Sequence, residues 1–378
     1  MQGDGSAYFI YHSIGQYPAK AADLGRAMGE FAQSWGARND GQWNYALGKR
    51  ARFIDRWRAL IGAAEGTVTT AENVTAGLYS LIGALPAGRL SGRTLLVAGD
   101  CFPSLHFLLA GLADRFGFTL KTVPHRPGAY WVEDDDVIAA WGSDVALALL
   151  TWVSSTSSHR IDLARLAAHG RTKGTLIGVD ITQAVGLLPF DVSVPEVDFA
   201  LSTSLKWMCG TPGAGILYVA PRLIGECAPE LRGWFSQPDP FSWDLTRFAF
   251  AADIRRFDNG TPGIVAALAT LPALDWHAAQ DAGSMLAHNQ GLSARIQAGA
   301  DEIGLTLASP RDPEARGGSI MVDLGARIPA ADLIAALRRA DVFADARGQI
   351  ARFSPGAMTT DDGVTRLLRA LGKALASG

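Results

Sequence analysis

STSLKWMCGTPGAGILYV, residues 202–219, places one lysine, Lys206, in an otherwise uncharged run that contains three glycines. A buried ammonium without a partner costs several kcal/mol of desolvation. Lys206 could therefore reach from a strand end to water, with its methylene stem covering apolar surface. Alternatively it is desolvated, so that its pKa falls and the neutral amine attacks a carbonyl, as Schiff-base lysines do. Other residues of the sequence are needed to choose between a solvent-reaching and a reactive lysine.

The bulk composition indicates a soluble globular protein of the size of an enzyme and argues against some partners. At 378 residues the chain can form two domains and a large core. Hydrophobic residues make up 48% and charged residues 19%, and the formal net charge is −3 without a basic block. Because nucleic acids and anionic membranes attract basic patches, we expect neither as a partner.

Two absences in the sequence bear on compartment and metal content. No run of about 18 apolar residues occurs, and the first residues lack a basic stretch followed by a long apolar one, so we expect a cytoplasmic protein. Cys101, Cys209 and Cys227 are too few and too irregularly spaced for a disulfide framework or a zinc site. We therefore expect three small buried thiols and no metal.

The middle of the chain predicts the fold class. Between about residues 90 and 220, short apolar runs such as TLLVAGD and ALALLTWV alternate with helical patterns. This alternation predicts an α/β fold with a mostly parallel sheet covered by helices. Helical patterns from about residue 262 and short alternating segments after residue 317 predict a smaller C-terminal α+β domain. We expect an N-terminal arm over 1–20, a large domain over 21–255, and a linking helix with the small domain over 256–378.

Asp180 changes the interpretation of Lys206. It closes the apolar run TLIGVD, and Lys206 follows the next predicted strand. The carboxyl ends of neighbouring parallel strands meet at one edge, where ligands bind. Asp180 alone could cap a turn. Together the two residues fit a pyridoxal phosphate site, with the lysine as Schiff base and the aspartate keeping the pyridine nitrogen protonated.

Two further segments could complete such a site. Thr75 precedes Ala76 and Gly77 at the expected N-terminus of a helix, where free N–H groups and the helix dipole attract a phosphate. Phe102 lies at another strand end, where it could stack on a cofactor ring or pack in the core.

These motifs resemble, in order and across nearly the whole chain, the class V aminotransferase family, and within it most closely the kynureninases. The matching segments are FIYHSIGQYP (9–18), NYALGKR (44–50), VTAG (74–77), DCFPS (100–104), TWVSS (151–155), VDITQAVG (179–186), STSLKWMCGTPGAG (202–215), RGWF (232–235), FDNGTPGI (257–264) and IARFSP (350–355). The resemblance implies the fold of the type I pyridoxal phosphate-dependent transferases, and pyridoxal phosphate as the cofactor.

The resemblance also implies roles for individual residues. Lys206 is the lysine that carries the cofactor, and Asp180 is the partner of the ring nitrogen. The other residues expected around the cofactor are Gln183 at the ring oxygen, Phe102 on the ring face, and Val74, Thr75 and Ser154 or Ser155 at the phosphate. Trp234 and Thr261 match positions that reach the neighbouring subunit's cofactor, which implies a homodimer. Arg352 matches the arginine that pairs with a substrate α-carboxylate, unless it is a surface arginine near the C-terminal helix.

Four departures from the kynureninases strip polar groups from the expected pocket. They are Gln183 for a histidine, Leu205 for a tyrosine, Leu105 for an aspartate and Trp152 for a histidine. The departures count against kynurenine itself as the substrate. Gln183 is the residue of the cysteine desulfurases, but those need a thiol on a C-terminal loop. No cysteine follows Cys227, so we do not expect persulfide transfer.

These observations predict a homodimeric, pyridoxal phosphate-dependent enzyme that acts on a small α-amino acid. Lys206 would take the α-proton as general base. Kynureninase-like cleavage or elimination at the β-carbon is the favoured reaction. The alternatives are a class V aminotransferase and a catalytically idle regulatory protein that binds pyridoxal phosphate.

Overall fold

The computed structural model describes residues 5–376, and its elements fall into two groups along the chain. The first group contains α1 (Lys20–Trp35), α2 (Gln42–Leu60), β1 (Val68–Ala71), α3 (Val74–Ile82), β2 (Thr94–Ala98), α4 (Pro103–Phe116), β3 (Thr119–Val123), α5 (Asp134–Ala140), β4 (Val145–Thr151), α6 (Leu163–Thr172), β5 (Leu176–Asp180), β6 (Phe199–Thr203), β7 (Gly215–Val219) and α7 (Pro221–Ile224). The second contains α8 (Val265–Ala278), α9 (Ser284–Glu302), β8 (Thr306–Leu307), β9 (Ile320–Asp323), α10 (Ala330–Arg339), β10 (Asp345–Arg347), β11 (Ile350–Phe353) and α11 (Asp361–Ala376).

The first group forms a seven-stranded sheet in the order β1-β7-β6-β5-β4-β2-β3. Within this sheet β7 runs antiparallel to both of its neighbours, and the other strands share one direction. Strands β5, β6 and β7 are buried along their whole length, as expected for a sheet covered on both faces. The predicted α/β fold with a mostly parallel sheet is therefore confirmed.

The register of β5 and β6 depends on one glycine. Gly178 pairs with Phe199, and a Cβ atom at Gly178 would lie 1.9 Å from the Phe199 ring. A side chain there would push the strands apart. Because Asp180 lies two residues after Gly178 and pairs with Leu201, this close approach fixes where the β5 carboxylate sits relative to the end of β6.

The second group builds a four-stranded antiparallel sheet in the order β10-β11-β9-β8. Helices α9, α10 and α11 share one apolar cluster with this sheet. Phe9 of the N-terminal arm lies in the same cluster, and its backbone N–H donates to Phe343 O (2.8 Å). The arm therefore packs on the small sheet. The domain boundaries at residues 20 and 255 remain predictions, and residues 1–4 of the arm lie outside the described part.

Helix α8 connects the two sheets and packs against α1 and α2. Within residues 5–376, no helix is both long and apolar enough to cross a membrane. Cys101, Cys209 and Cys227 are all buried and free, as the sequence predicts.

Candidate active site

The N-terminal arm holds the segment that carries Lys206, which lies three residues after β6. The Gly15 N–H donates to Leu205 O (2.9 Å), and the Cys209 N–H donates to Lys206 O (2.8 Å). A Cβ atom at Gly15 would lie 1.9 Å from Lys206 O. Only a glycine therefore allows the arm to approach the lysine segment this closely.

Lys206 is half-buried, and its surroundings favour the second interpretation. Burial lowers its pKa to about 8, the charge of Asp180 opposes this shift, and the charge of Arg352 adds to it. The Nζ atom lies 5.3 Å from the centroid of the Phe102 ring. An amine with this pKa is neutral in a substantial fraction near pH 8, as nucleophilic attack and proton abstraction require.

Asp180 is a buried carboxylate without a cation at contact distance. Its side chain is buried at the end of β5, where Oδ1 accepts the Thr182 N–H (3.0 Å). Burial raises its pKa, and the charge of Lys206 opposes the shift. No ion pair involves Asp180 among residues 5–376. A buried charge without a close partner is costly, and a protonated ring nitrogen is a group that would supply one.

Phe102 lies on the open side of the site. It is the residue before the first turn of α4, and 44% of its surface is exposed, so it does not pack in the core. The ring that faces Lys206 Nζ is thus available for stacking. Its predicted contact with a cofactor ring remains a prediction.

The helix α3 begins two residues earlier than the sequence suggested. Its N-cap is Asn73, whose Oδ1 accepts the Ala76 N–H (2.9 Å), whereas Thr75 is the second helical residue. The expected position of Thr75 just before the helix is therefore wrong, because Asn73, two residues earlier, supplies the capping oxygen. Val74 and Thr75 occupy the first turn, where N–H groups lack helical acceptors. An anion site at this N-terminus, with both residues at a phosphate, stays a prediction.

Gln183 links the arm to the lysine segment. Its Nε2 donates to His12 O (3.0 Å), and its Oε1 accepts from Trp207 Nε1 (3.3 Å). Its side chain is buried. These bonds use one amide N–H and the amide oxygen, so a contact from Gln183 to a ring oxygen, as predicted, requires the second N–H.

Ser154 and Ser155 follow β4, four positions from β1 in the sheet. The Ser154 hydroxyl lies 3.1 Å from Thr156 Oγ1, and Ser155 O accepts from Arg352 Nη1 (3.1 Å). The described contacts of Ser155 are therefore with the small sheet. Phosphate contacts from either serine remain predictions.

Arg352 is buried on β11, with 4% of its surface exposed. The alternative of a surface arginine is wrong. Its Nε donates to Asp345 Oδ1 (2.8 Å) and its Nη2 donates to Asp345 Oδ2 (2.5 Å). The guanidinium is thus paired within the protein while its charge acts on Lys206.

The sequence reasoning missed His12 and Asp345. His12 is buried; its Nδ1 lies 2.6 Å from Ser354 Oγ and its Nε2 lies 2.9 Å from Asp345 Oδ1. Burial lowers the pKa of His12 to about 4, with Asp345 opposing and the charges of Arg352 and Lys206 contributing. His12 lies within the segment FIYHSIGQYP (9–18), and Asp345 lies seven residues before Arg352. A contact such as that between His12 and Ser354, which are 342 residues apart, leaves no pattern in the local sequence.

Trp234 belongs to an exposed aromatic cluster. Its ring lies 6.1 Å from Phe241 and 6.4 Å from Trp243, and these two side chains are 70% and 75% exposed. Leu245, in the same segment, is 97% exposed. Thr261 is also exposed, and its loop shares a cavity of about 630 Å³ with α3. Large apolar groups exposed together mark an interaction surface.

Comparisons with known proteins agree with this geometry. The family model of the class V aminotransferases matches residues 55–363. Kynureninase from Pseudomonas fluorescens is 27% identical over 332 residues, covering 84% of this chain and 77% of the relative. Isopenicillin N epimerase from Streptomyces clavuligerus is 29% identical over 325 residues, covering 82% and 81%.

Two solved structures share the fold. An apo cysteine desulfurase from Thermococcus onnurineus NA1 has a TM-score of 0.87 at 18% identity, covering 99% of this chain and 95% of that one. A cystine C-S lyase in complex with its product cysteine persulfide has a TM-score of 0.86 at 19% identity, covering 97% of each chain.

The residues present fit pyridoxal phosphate in three respects. A lysine amine with a lowered pKa lies near an exposed aromatic ring. A buried carboxylate at the end of the neighbouring strand has no cation at contact distance. A helix N-terminus follows β1, at the same edge of the sheet. The chain belongs to the class V aminotransferase family, and it is a pyridoxal phosphate-dependent enzyme.

Proposed function

We propose that this enzyme cleaves or eliminates a group at the β-carbon of a small α-amino acid. The observation that carries the proposal is the Lys206 amine, with its pKa lowered to about 8, beside the buried Asp180 carboxylate. This pair provides a base for the α-proton and a fixed negative charge, which such a reaction needs first.

In the proposed reaction, Lys206, Asp180 and Arg352 have separate roles around the cofactor and the substrate. Pyridoxal phosphate, when bound, supplies an electron sink for the electrons left at the substrate α-carbon. Lys206 holds the cofactor and then accepts the α-proton at Nζ. Asp180 keeps a negative charge at the ring nitrogen, where it is most effective because water is excluded. Arg352 anchors the substrate α-carboxylate, so that the α-hydrogen faces Lys206.

The remaining roles follow the resemblance. Phe102 stacks on the ring, Gln183 contacts the ring oxygen, and the phosphate is held by Val74, Thr75 and Ser154 or Ser155. The preference for β-cleavage rests on the kynureninase relatives and on the cystine C-S lyase, whose name states cleavage of a C–S bond. Persulfide transfer is disfavoured, because no cysteine follows Cys227.

The proposed enzyme is a homodimer in the cytoplasm. The aromatic cluster around Trp234 exposes three large apolar side chains, an arrangement that a second copy of the chain would cover. Trp234 and Thr261 then reach the cofactor of the neighbouring subunit.

The test is to incubate the holoenzyme with each common amino acid and assay pyruvate, ammonia, alanine and pyridoxamine phosphate. Pyruvate with ammonia identifies elimination, and alanine from a larger substrate identifies β-cleavage. Both results require Lys206, so the Lys206→Ala variant must be inactive. Absence of all four products with every substrate would contradict catalysis and favour the idle cofactor-binding protein.

Amino-group transfer is the second candidate. The family model that matches the chain is named for aminotransferases, which supports this reaction as the alternative to β-cleavage. Its signature in the same assay is accumulation of pyridoxamine phosphate without release of ammonia, with pyruvate formed only from L-alanine.

A further inference from the structure

Asp345 occupies one edge of the Arg352 guanidinium. The two residues are paired across β10 and β11, and the Nε and Nη2 atoms of Arg352 donate to the two oxygens of the carboxylate. A third bond runs from Nη1 to Ser155 O (3.1 Å). A planar guanidinium held at three nitrogens has a fixed orientation.

Two N–H groups of Arg352 remain for a ligand. A guanidinium carries five N–H donors, and three of them bond Asp345 and Ser155. Within residues 5–376, one N–H on Nη1 and one on Nη2 have no acceptor. Two donors on neighbouring nitrogens match the two oxygens of a carboxylate. The charge of Arg352 lowers the pKa of Lys206, so the guanidinium lies within electrostatic reach of the lysine amine.

His12 supports Asp345 from the arm. Burial favours the neutral form of His12, whose Nε2 lies 2.9 Å from Asp345 Oδ1 and whose Nδ1 lies 2.6 Å from Ser354 Oγ. Burial alone would raise the pKa of Asp345, but His12 and Arg352 hold it well below its usual range. Asp345 is therefore ionised at neutral pH, where it pairs with Arg352.

We propose that Asp345 is a positioning residue, which holds the guanidinium of Arg352 by one edge so that its two remaining N–H groups receive the α-carboxylate of the substrate. The inference rests on the proposed role of Arg352 as the carboxylate anchor. Arg352, held in this way by Asp345, makes the enzyme selective for an amino acid over the amine that lacks the carboxylate. The opposite arrangement, in which Asp345 competes with the substrate for Arg352, predicts the opposite result on mutation.

The experiment measures binding of L-alanine and of ethylamine to the holoenzyme by calorimetry. The two probes share an amine and differ by the carboxylate. Asp345→Asn removes the charge and places an amide N–H against the arginine donors, so Kd for L-alanine should rise at least tenfold while Kd for ethylamine stays within twofold. Asp345→Glu, which restores the charge, should recover part of the loss.

Asp323→Asn is the matched control. Asp323 lies on β9 of the same sheet and accepts from Tyr130 Oη (2.7 Å) and the Gly325 N–H (2.8 Å), and none of its described hydrogen bonds involves Arg352. It should leave both affinities unchanged. Circular dichroism and thermal unfolding establish that each variant folds.

Three outcomes would overturn the inference. Tighter binding of L-alanine by Asp345→Asn would make Asp345 a competitor for Arg352, and equal loss of both ligands would make it a support of the fold. An unchanged affinity for L-alanine would remove any positioning role. If Arg352→Lys also leaves L-alanine binding unchanged, the anchor role itself fails. Because the assay measures binding and not turnover, it tests the role of Asp345 even if the enzyme does not catalyse the proposed β-cleavage.

Discussion

Asp180 ends β5 and Lys206 lies three residues after the neighbouring parallel strand β6, so that a buried carboxylate without a contacting cation lies within electrostatic reach of an amine with a lowered pKa. Each residue opposes the pKa shift that burial imposes on the other. The charge of each residue therefore stabilises the charged form of the other. Perturbed groups arranged in this way mark functional sites, and they make the site accessible to tests that need no substrate.

The reactivity of Lys206 should depend on pH with a midpoint near pH 8 in the cofactor-free protein. Labelling by acetic anhydride, followed by mass spectrometry of the Lys206 peptide, reports the neutral amine. The ordinary pKa of a lysine is 10.5, so the labelling of exposed lysines should have its midpoint about two pH units higher. Asp180→Asn should lower the midpoint, because the Asp180 charge raises the pKa, and Arg352→Gln should raise it. A midpoint above pH 10 would contradict a desolvated amine.

Asp180→Asn should separate stability from activity. With cofactor bound, loss of the charge at the ring nitrogen should reduce turnover by about 100- to 1,000-fold, which is the usual effect of removing one electrostatic catalytic group. Without cofactor, the variant should be as stable as the wild type or more stable, because a buried carboxylate without a contacting cation is replaced by a neutral group.

The pH dependence gives the sign of the Asp180 effect. Burial raises the folded-state pKa above the ordinary value of 3.8, so the folded state binds the extra proton and the wild type loses stability as pH rises through the folded value. The gain in Asp180→Asn should therefore be present at neutral pH and vanish below pH 3.8. Urea unfolding of both cofactor-free proteins measures it, and a gain that is equal at all pH values would show another cause.

The sequence predicted the α/β fold and the meeting of Asp180 with Lys206, because both follow from buried strands and from the shared edge of a parallel sheet. It did not predict the His12, Asp345 and Arg352 cluster. These residues come together because the arm adds to the small sheet, as the bridge between Ile10 and Ser354 shows. Such a pairing leaves no periodic pattern in either segment.

A similar limit explains the error at α3. Asn73 and Thr75 are both good capping residues, and sequence alone does not rank them at a spacing of two. The geometry decides, since the Asn73 backbone is extended and its oxygen reaches the Ala76 N–H.

The dimer prediction concerns the exposed aromatic cluster around Trp234. Trp243→Asp should place a charge in the proposed interface, so the dimer should dissociate at least tenfold more readily in sedimentation velocity. Phe107, which is 72% exposed on α4, offers a control of similar size outside the cluster, and Phe107→Asp should leave association unchanged. A wild-type monomer at micromolar concentration that still retains cofactor would argue that neither Trp234 nor Thr261 reaches across.

The last prediction concerns the contact between the arm and the lysine segment. Gly15→Ala would place a methyl group 1.9 Å from Lys206 O, an obstruction by backbone that cannot rotate away. The arm must shift, and we expect a loss of about 1–3 kcal/mol in the free energy of unfolding, as for other overpacked positions. The shift also weakens the bond from Gly15 N–H to Leu205 O, so the Lys206 pKa should rise toward its ordinary value as water enters.

Gly25→Ala is the control, because Gly25 lies in α1 with no atom within 4 Å of the added Cβ. It should stabilise the protein by about 0.5–1 kcal/mol through helix propensity alone. Urea unfolding and the labelling midpoint of Lys206 measure both effects, and equal behaviour of the two variants would show that the arm does not control the lysine.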